Sequence, residues 1–245
     1  VSIFDKYAAP GAISAEGTKF ILGADEGGRD VLGQLIIGAR NSVTIGFAIT
    51  VITSIIGVGL GIISGYYGGI VDNILMRVVD FIMILPIMLI IIVFVSIISN
   101  YNVWSFIFIM SAFYWVGKAR LFRSKTLSEA RRDYVSASKT MGTGDFKIMF
   151  REIMPNLSSL IITNLTMNFA ANIGIETTLT FLGFGLPTNV PSLGTLIGYA
   201  SSGEVLVNRQ WIWLPASILI LVLMLSINYV GQAFKRSADA RQRLG

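Results

Sequence analysis

The chain contains no cysteine and no histidine. That excludes disulfides, thiol nucleophiles, a Ser-His-Asp triad and the ordinary zinc sites. Charge is scarce as well: Asp, Glu, Lys and Arg make up 13% of the 245 residues, against 53% hydrophobic. With a mean hydropathy of +0.71 the sequence is too apolar for an ordinary soluble domain. The apolar runs are spread along its length, so it reads as one membrane domain in a lipid bilayer. No Gly-x-x-x-x-Gly-Lys-Ser/Thr loop occurs, because Gly117-Lys118 lacks both the upstream glycine and the following hydroxyl residue. The chain is therefore not expected to bind or hydrolyse ATP. Its net charge of +5 is local, with no basic patch away from the segments flanking apolar runs, which argues against nucleic acid as a partner.

Five runs are long and apolar enough to cross a hydrocarbon core that needs roughly 20 residues. They cover about 43–66, 81–99, 103–122, 157–182 and 211–231. In the first, Gly57, Gly61 and Gly65 recur every fourth residue, followed by Gly69, a spacing that lets a neighbouring backbone approach closely. Pro86 is expected to kink the second. Trp104 marks an interface of the third, in which Trp115 is open to either packing or a conduit wall. The fourth is unusually polar: Asn164, Asn168 and Asn172 share one helix face with Glu176 below them. Lipid would reject that row, so it faces other helices or water, either as interhelical hydrogen bonds or as a translocation path. Residues 184–210 are too polar to span and read as a folded outer loop. Trp211 and Trp213 mark the interface of the last span, which Pro215 opens. Residues 1–42 precede the first span as a separate segment, with a short amphipathic stretch at 31–39.

Between the third and fourth spans lies the most charged stretch, 129–156, with the whole hairpin placed at 126–155. Thr126 and Glu129 have the spacing of a capping box. Ala130, Tyr134, Ala137, Ser138 and Met141 then fall on one helical face. Gly142 is a natural residue to end that helix in a left-handed conformation. A second helix places Phe146, Met149, Phe150 and Ile153 together and is expected to end at Pro155. The result is a helical hairpin with an apolar ridge, attached to a span at each end.

Ser136-Ala137-Ser138, Gly142 and Pro155 keep the spacing of the EAA motif of bacterial ABC-importer permeases, with serine for its glutamate and second alanine and Met154 for its leucine. Gly23-Ala24-Asp25 with Gly28-Arg29-Asp30, Gly68-Gly69-Ile70-Val71-Asp72, Met76-Arg77-Val78-Val79-Asp80 and Phe181-Leu182-Gly183-Phe184-Gly185 resemble further motifs of the dipeptide/oligopeptide branch, the "C" type subunit. From about Leu22 onward the chain resembles that branch, which implies the all-α, type I ABC-importer permease fold. The family usually has six spans; we expect the additional one to be missing from the amino terminus rather than dispensed with. The resemblance implies that Tyr134, Ser136, Ala137, Ser138, Met141, Gly142, Asp145, Phe146 and Pro155 couple the chain to an ATPase. It also implies a second permease subunit, two ATPase subunits carrying the ATP and magnesium, an extracytoplasmic substrate-binding protein and a peptide substrate. No cofactor is expected in this chain. Asn164, Asn168, Asn172 and Glu176 are the candidate substrate path.

Orientation follows from the cations. Residues 118–151 hold nine Lys and Arg, the tail 235–243 holds four, and Arg77 lies in the 67–80 connection; these share one side, against five on the other. The positive-inside rule puts the hairpin and carboxyl terminus in the cytoplasm and residues 1–42 outside. Alternatives are a permease for nickel or another small solute, and an ion-driven carrier or channel. The carrier would call for more buried charge and an inverted repeat, neither of which is clear.

Overall fold

The computed structural model describes residues 3–243. Helices and turns account for them, with two isolated antiparallel bridges, Ile13 to Lys19 and Ala24 to Asp30. Two compact units divide the chain.

The first unit holds the residues up to Phe47, Val95–Phe106 and Phe169–Ile227. Its amino-terminal loop is fastened by Asp25, wholly buried, whose carboxylate accepts from the Gly27 and Arg29 amides at 2.8 and 3.0 Å. The same carboxylate takes Arg29 Nε and Gln34 Nε2, each at 2.9 Å. Helix α1, Val31–Tyr67, starts here because Asp30 caps it, accepting from the Gly33 amide at 3.0 Å. It begins well before the expected span at 43, and the expected boundary at residue 42 falls inside it. The polar residues that hid this start are satisfied by a segment distant in sequence: Asn41 Nδ2 donates to the Pro191 carbonyl at 2.8 Å and Ser42 Oγ accepts from the Leu193 amide at 3.3 Å. The 184–210 loop, expected on the outer side, folds around two short helices, α10 (Leu193–Gly198) and α11 (Gly203–Asn208). Helix α12, Gln210–Arg243, follows; Pro215 lies inside it rather than opening it.

The second unit holds Ala48–Phe94, Ile107–Asn168 and the residues from Asn228 on. Within it α2 (Gly69–Ile84) and α3 (Ile87–Ile97) meet at an 80° bend. Pro86 sits at the break, as a residue without an amide hydrogen must. Helices α4 (Val103–Phe113) and α5 (Val116–Glu129) are interrupted at Trp115, which is buried against α2 and donates to the Ala112 carbonyl at 2.8 Å; it is a packing residue. The glycine series is a groove for α5. A methyl group at Gly57, Gly61 or Gly65 would lie 2.6–2.7 Å from the carbonyl oxygens of Trp115, Ala119 and Arg123 in turn. The two helices therefore run side by side in the same direction. Gly69 does not belong to the groove, since it has no neighbour within 4 Å and takes a positive φ of 53° where α2 begins.

By length and composition α1 and α12 can each cross a membrane, and α2 with α3 can do so as a bent pair. The expected third span is the interrupted α4–α5 pair, and the fourth is α9, Ser158–Phe181, whose polar residues keep its hydropathy low.

Candidate functional site: the charged helical hairpin

Helix α5 runs to Glu129 without a break, so the expected capping box does not form. Thr126 lies inside that helix with its hydroxyl buried and unpartnered. Glu129 instead receives the Tyr134 hydroxyl at 2.8 Å and pairs with Arg132 at 3.2 Å. Burial, with that carboxylate adding to it, pushes the Tyr134 phenol above its ordinary value, against a lowering bond from Asn156. After the 130–132 turn comes α6, Asp133–Thr140.

The glycine expectation holds. Gly142 takes φ +81°, its amide donates to the Lys139 carbonyl at 3.0 Å, and the Thr143 amide donates to the Ser138 carbonyl at 3.0 Å. These two bonds make a Schellman end. The return arm consists of α7 (Asp145–Lys147), a π-helical turn (Ile148–Ile153) and α8 (Met154–Asn156). Pro155 does not stop this arm. The wider turn before it, in which the Met154 amide reaches back to the Met149 carbonyl, relieves the clash a proline ring makes with the carbonyl four residues earlier.

Of the expected apolar ridge, Met149 and Ile153 face inward, Ala130, Tyr134 and Phe150 are half-buried, and Ala137, Met141 and Phe146 are exposed. Met149 and Ile153 are buried together with Val135 and Ile148, which the ridge did not include, against Val58 and Ile62 of α1, Phe122 of α5 and Leu157. Ser138 is buried too, donating to the Glu152 carboxylate at 2.6 Å. Tyr66, at the end of α1, donates to Asp145 at 2.6 Å and lies under the Lys139 ammonium, 4.9 Å from its ring centre. What the hairpin offers outward is Ser136, Ala137, Gly142, Pro155 and two large apolar side chains, Met141 and Phe146, 79% and 74% exposed. The Phe146 ring lies 4.9 Å from that of Phe150.

Sequence reasoning missed the groups that brace the hairpin's root. Arg123, just before it on α5, grips Asp72 of α2 at 2.5 and 2.6 Å, and Ser64 Oγ donates to the same carboxylate at 2.5 Å. Arg123 chiefly, and Ser64 after it, hold the Asp72 carboxyl below the usual range. About two turns further along α2, Asp80 pairs with Arg120 and, at 3.0 Å, with Arg77. Asp72, Arg77 and Asp80 stood in the quoted motifs, but nothing in them pointed to α5. Tyr66 and Glu152 carried no signal.

The polar row on α9 divides. Asn164 and Asn168 are half-buried in the second unit, with Asn168 Nδ2 donating to the Asn164 carbonyl at 2.8 Å. Asn172 and Glu176 are buried in the first unit. Glu176 takes the Thr180 hydroxyl at 2.8 Å, with the hydroxyls of Ser42 and Ser192 beside it. It is wholly enclosed, and so ties α9 to α1 and to the loop before α10 rather than presenting a surface. Among the described residues no cluster could hold a metal ion.

The family profile described as binding-protein-dependent transport system inner membrane component matches residues 57–243. The chain belongs to this family. The permease is 54% identical over 242 residues to the oligopeptide transport system permease protein OppC of Lactococcus lactis subsp. cremoris (strain SK11), covering 99% of this chain and 81% of that one. It is 37% identical over 224 residues to the dipeptide transport system permease protein DppC of Haemophilus influenzae (strain ATCC 51907 / DSM 11121 / KW20 / Rd), covering 91% of this chain and 74% of that one. Among solved structures, an inward-facing form of the MetNI methionine ABC transporter matches with a TM-score of 0.66 at 17% identity, over 84% of this chain and 97% of that one. At that identity the likeness shows the fold, which is the ABC-importer permease fold. The permease is a membrane component of an ATP-driven importer and not itself an enzyme; ATP hydrolysis belongs to a separate subunit.

Proposed function

We propose that this permease forms half of the path by which an ABC importer moves di- and oligopeptides, and that its hairpin is where an ATPase subunit pushes. The observation that carries the reading is the hairpin's two-sidedness. One face is locked into α1 and α5 by Val135, Ile148, Met149 and Ile153, while Met141 and Phe146 stand bare at the opposite tip. A soluble surface has no reason to expose two such side chains on a braced turn unless a partner covers them. A load applied there passes through the packed cluster to α5, and through Leu157 to the first half of α9, without a soft joint.

In this reading the hairpin and carboxyl terminus are cytoplasmic, supported by the cation distribution. A second permease completes the path, two ATPases carry ATP and magnesium, and an extracytoplasmic binding protein delivers the peptide. The printed names of the two relatives support the cargo. Of the α9 row, Asn164 and Asn168 are the members available to line a path, while Asn172 and Glu176 hold the helix in place. The test is uptake into vesicles containing the whole complex and its binding protein. ATP-dependent accumulation of a labelled short peptide, unaffected by excess nickel, is expected; uptake of nickel with no peptide uptake would overturn the cargo assignment.

A further inference from the structure

Lys118 of α5 is 4% exposed, yet no described carboxylate pairs with it. Its ammonium donates to Thr53 Oγ1 on α1. Thr53 lies roughly 20 Å from the Tyr67 end of α1 at 1.5 Å per residue, well inside a hydrocarbon core about 30 Å thick. A buried ammonium with one hydroxyl for company is costly, and an ionisable group at that depth needs a counter-charge to explain it.

Two hydroxyls in its neighbourhood are unengaged. Ser54 Oγ, next to Thr53, is buried without a partner, and so is Ser111 Oγ of α4. The Gly57 contact with Trp115 and Lys118 and the Gly61 contact with Ala119 set the register of α1 against α5; counted one turn further back, across the break at Trp115, it puts Thr53 and Ser54 near the level of Ser111 on α4. A buried ammonium without a counter-charge, with two hydroxyls nearby still free to donate, suits an anion. The carboxylate at the end of the chain is the one negative charge that every unmodified peptide carries. Access follows from the coupling scheme, because α5 leads directly into the hairpin. In that scheme a push on the hairpin is felt along α5, on which Lys118 sits at the seam with α1.

We propose that Lys118, with Ser54 and Ser111, is a specificity site that takes the carboxyl-terminal carboxylate of a peptide in transit, an inference that rests on the peptide-import reading above. The test uses the complete reconstituted importer with its binding protein and one peptide in two forms, free acid and carboxyl-terminal amide. The preference of the binding protein is common to all permease variants and cancels. Lys118→Met is expected to lower the ratio of free-acid to amide uptake about tenfold, the scale of one charge-assisted hydrogen bond. Lys118→Arg is expected to restore much of that ratio. If Lys118→Met does not assemble, Lys118→Gln, which can still bond Thr53, reads the same ratio. An equal fall for both peptide forms would make Lys118 a structural bolt between α1 and α5 and overturn the proposal. A wild-type importer that accumulates neither peptide form would instead overturn the peptide reading itself.

Discussion

Replacing Gly61 by alanine would put a methyl carbon 2.7 Å from the Ala119 carbonyl oxygen and 3.0 Å from the Arg123 amide nitrogen and Phe122 Cβ. Ordinary contact begins at 3.4 Å, so α5 must withdraw by 3.4 − 2.7 = 0.7 Å, or α1 must bend. Forcing an extra carbon into such a contact costs ~1–3 kcal/mol. Gly59, on the same helix two residues away, has open space beside it. The same substitution there gains ~1 kcal/mol of helix propensity. Gly61→Ala gains that propensity as well, so the two variants should differ by the contact cost alone, ~1–3 kcal/mol, or about 2–12 °C in melting temperature for a chain of this size. The assay is thermal unfolding of the purified complex in detergent, with Gly59→Ala melting at or above wild type and Gly61→Ala below it. Equal melting of the two variants would refute the groove.

Three further outcomes are expected. Met141→Asp and Phe146→Asp should each lower recovery of the ATPase with the permease by about tenfold or more, since apolar anchors at an interface centre typically contribute 2 kcal/mol or above, while membrane insertion is unchanged; full recovery would remove the tip from the interface. The depressed Asp72 carboxyl contributes stability that is present above its unfolded value of about 3.9 and is lost as pH falls through its lower folded value. Melting temperature should thus be insensitive to this pair from pH 8 to 5 and fall below about pH 4, with Asp72→Asn lower at neutral pH and lacking that acid limb. Loss of the Asp72 contribution already at pH 6, measured as the wild-type minus Asp72→Asn difference, would contradict this. Glu176→Gln keeps an acceptor for Thr180 and should leave substrate affinity in uptake assays unaltered. A changed affinity would return Glu176 to the path.

How much could be read beforehand depended on whether a feature is local. Gly142 announced its turn because a left-handed residue after a helix is a property of five or six residues, and the Schellman bonds formed as expected. The glycine groove was visible for the same reason, apart from Gly69, which the spacing swept in although it starts a new helix. Thr126 and Glu129 misled because their spacing also occurs inside a helix, and only the continuity of α5 shows which applies. The π turn before Pro155 could not be seen, since it depends on Ile148, Met149 and Ile153 packing against Ile62 and Phe122. The start of α1 was hidden by Asn41 and Ser42, polar residues whose partners lie some 150 positions further on. Glu176 was singled out correctly as unusual, but its enclosure by Ser42, Thr180 and Ser192 is a tertiary fact.

The central claim is that force enters this permease at the exposed tip of the hairpin. The chain's lack of cysteine makes the direct measurement clean: Ala137→Cys is the sole thiol among these 245 residues, and a short heterobifunctional thiol-to-amine reagent then reports what lies against it in the assembled complex. A cross-link to the ATPase subunit, with none from Ser202→Cys on the outer loop, is the expected result. A cross-link from Ser202→Cys and none from Ala137→Cys would contradict the account.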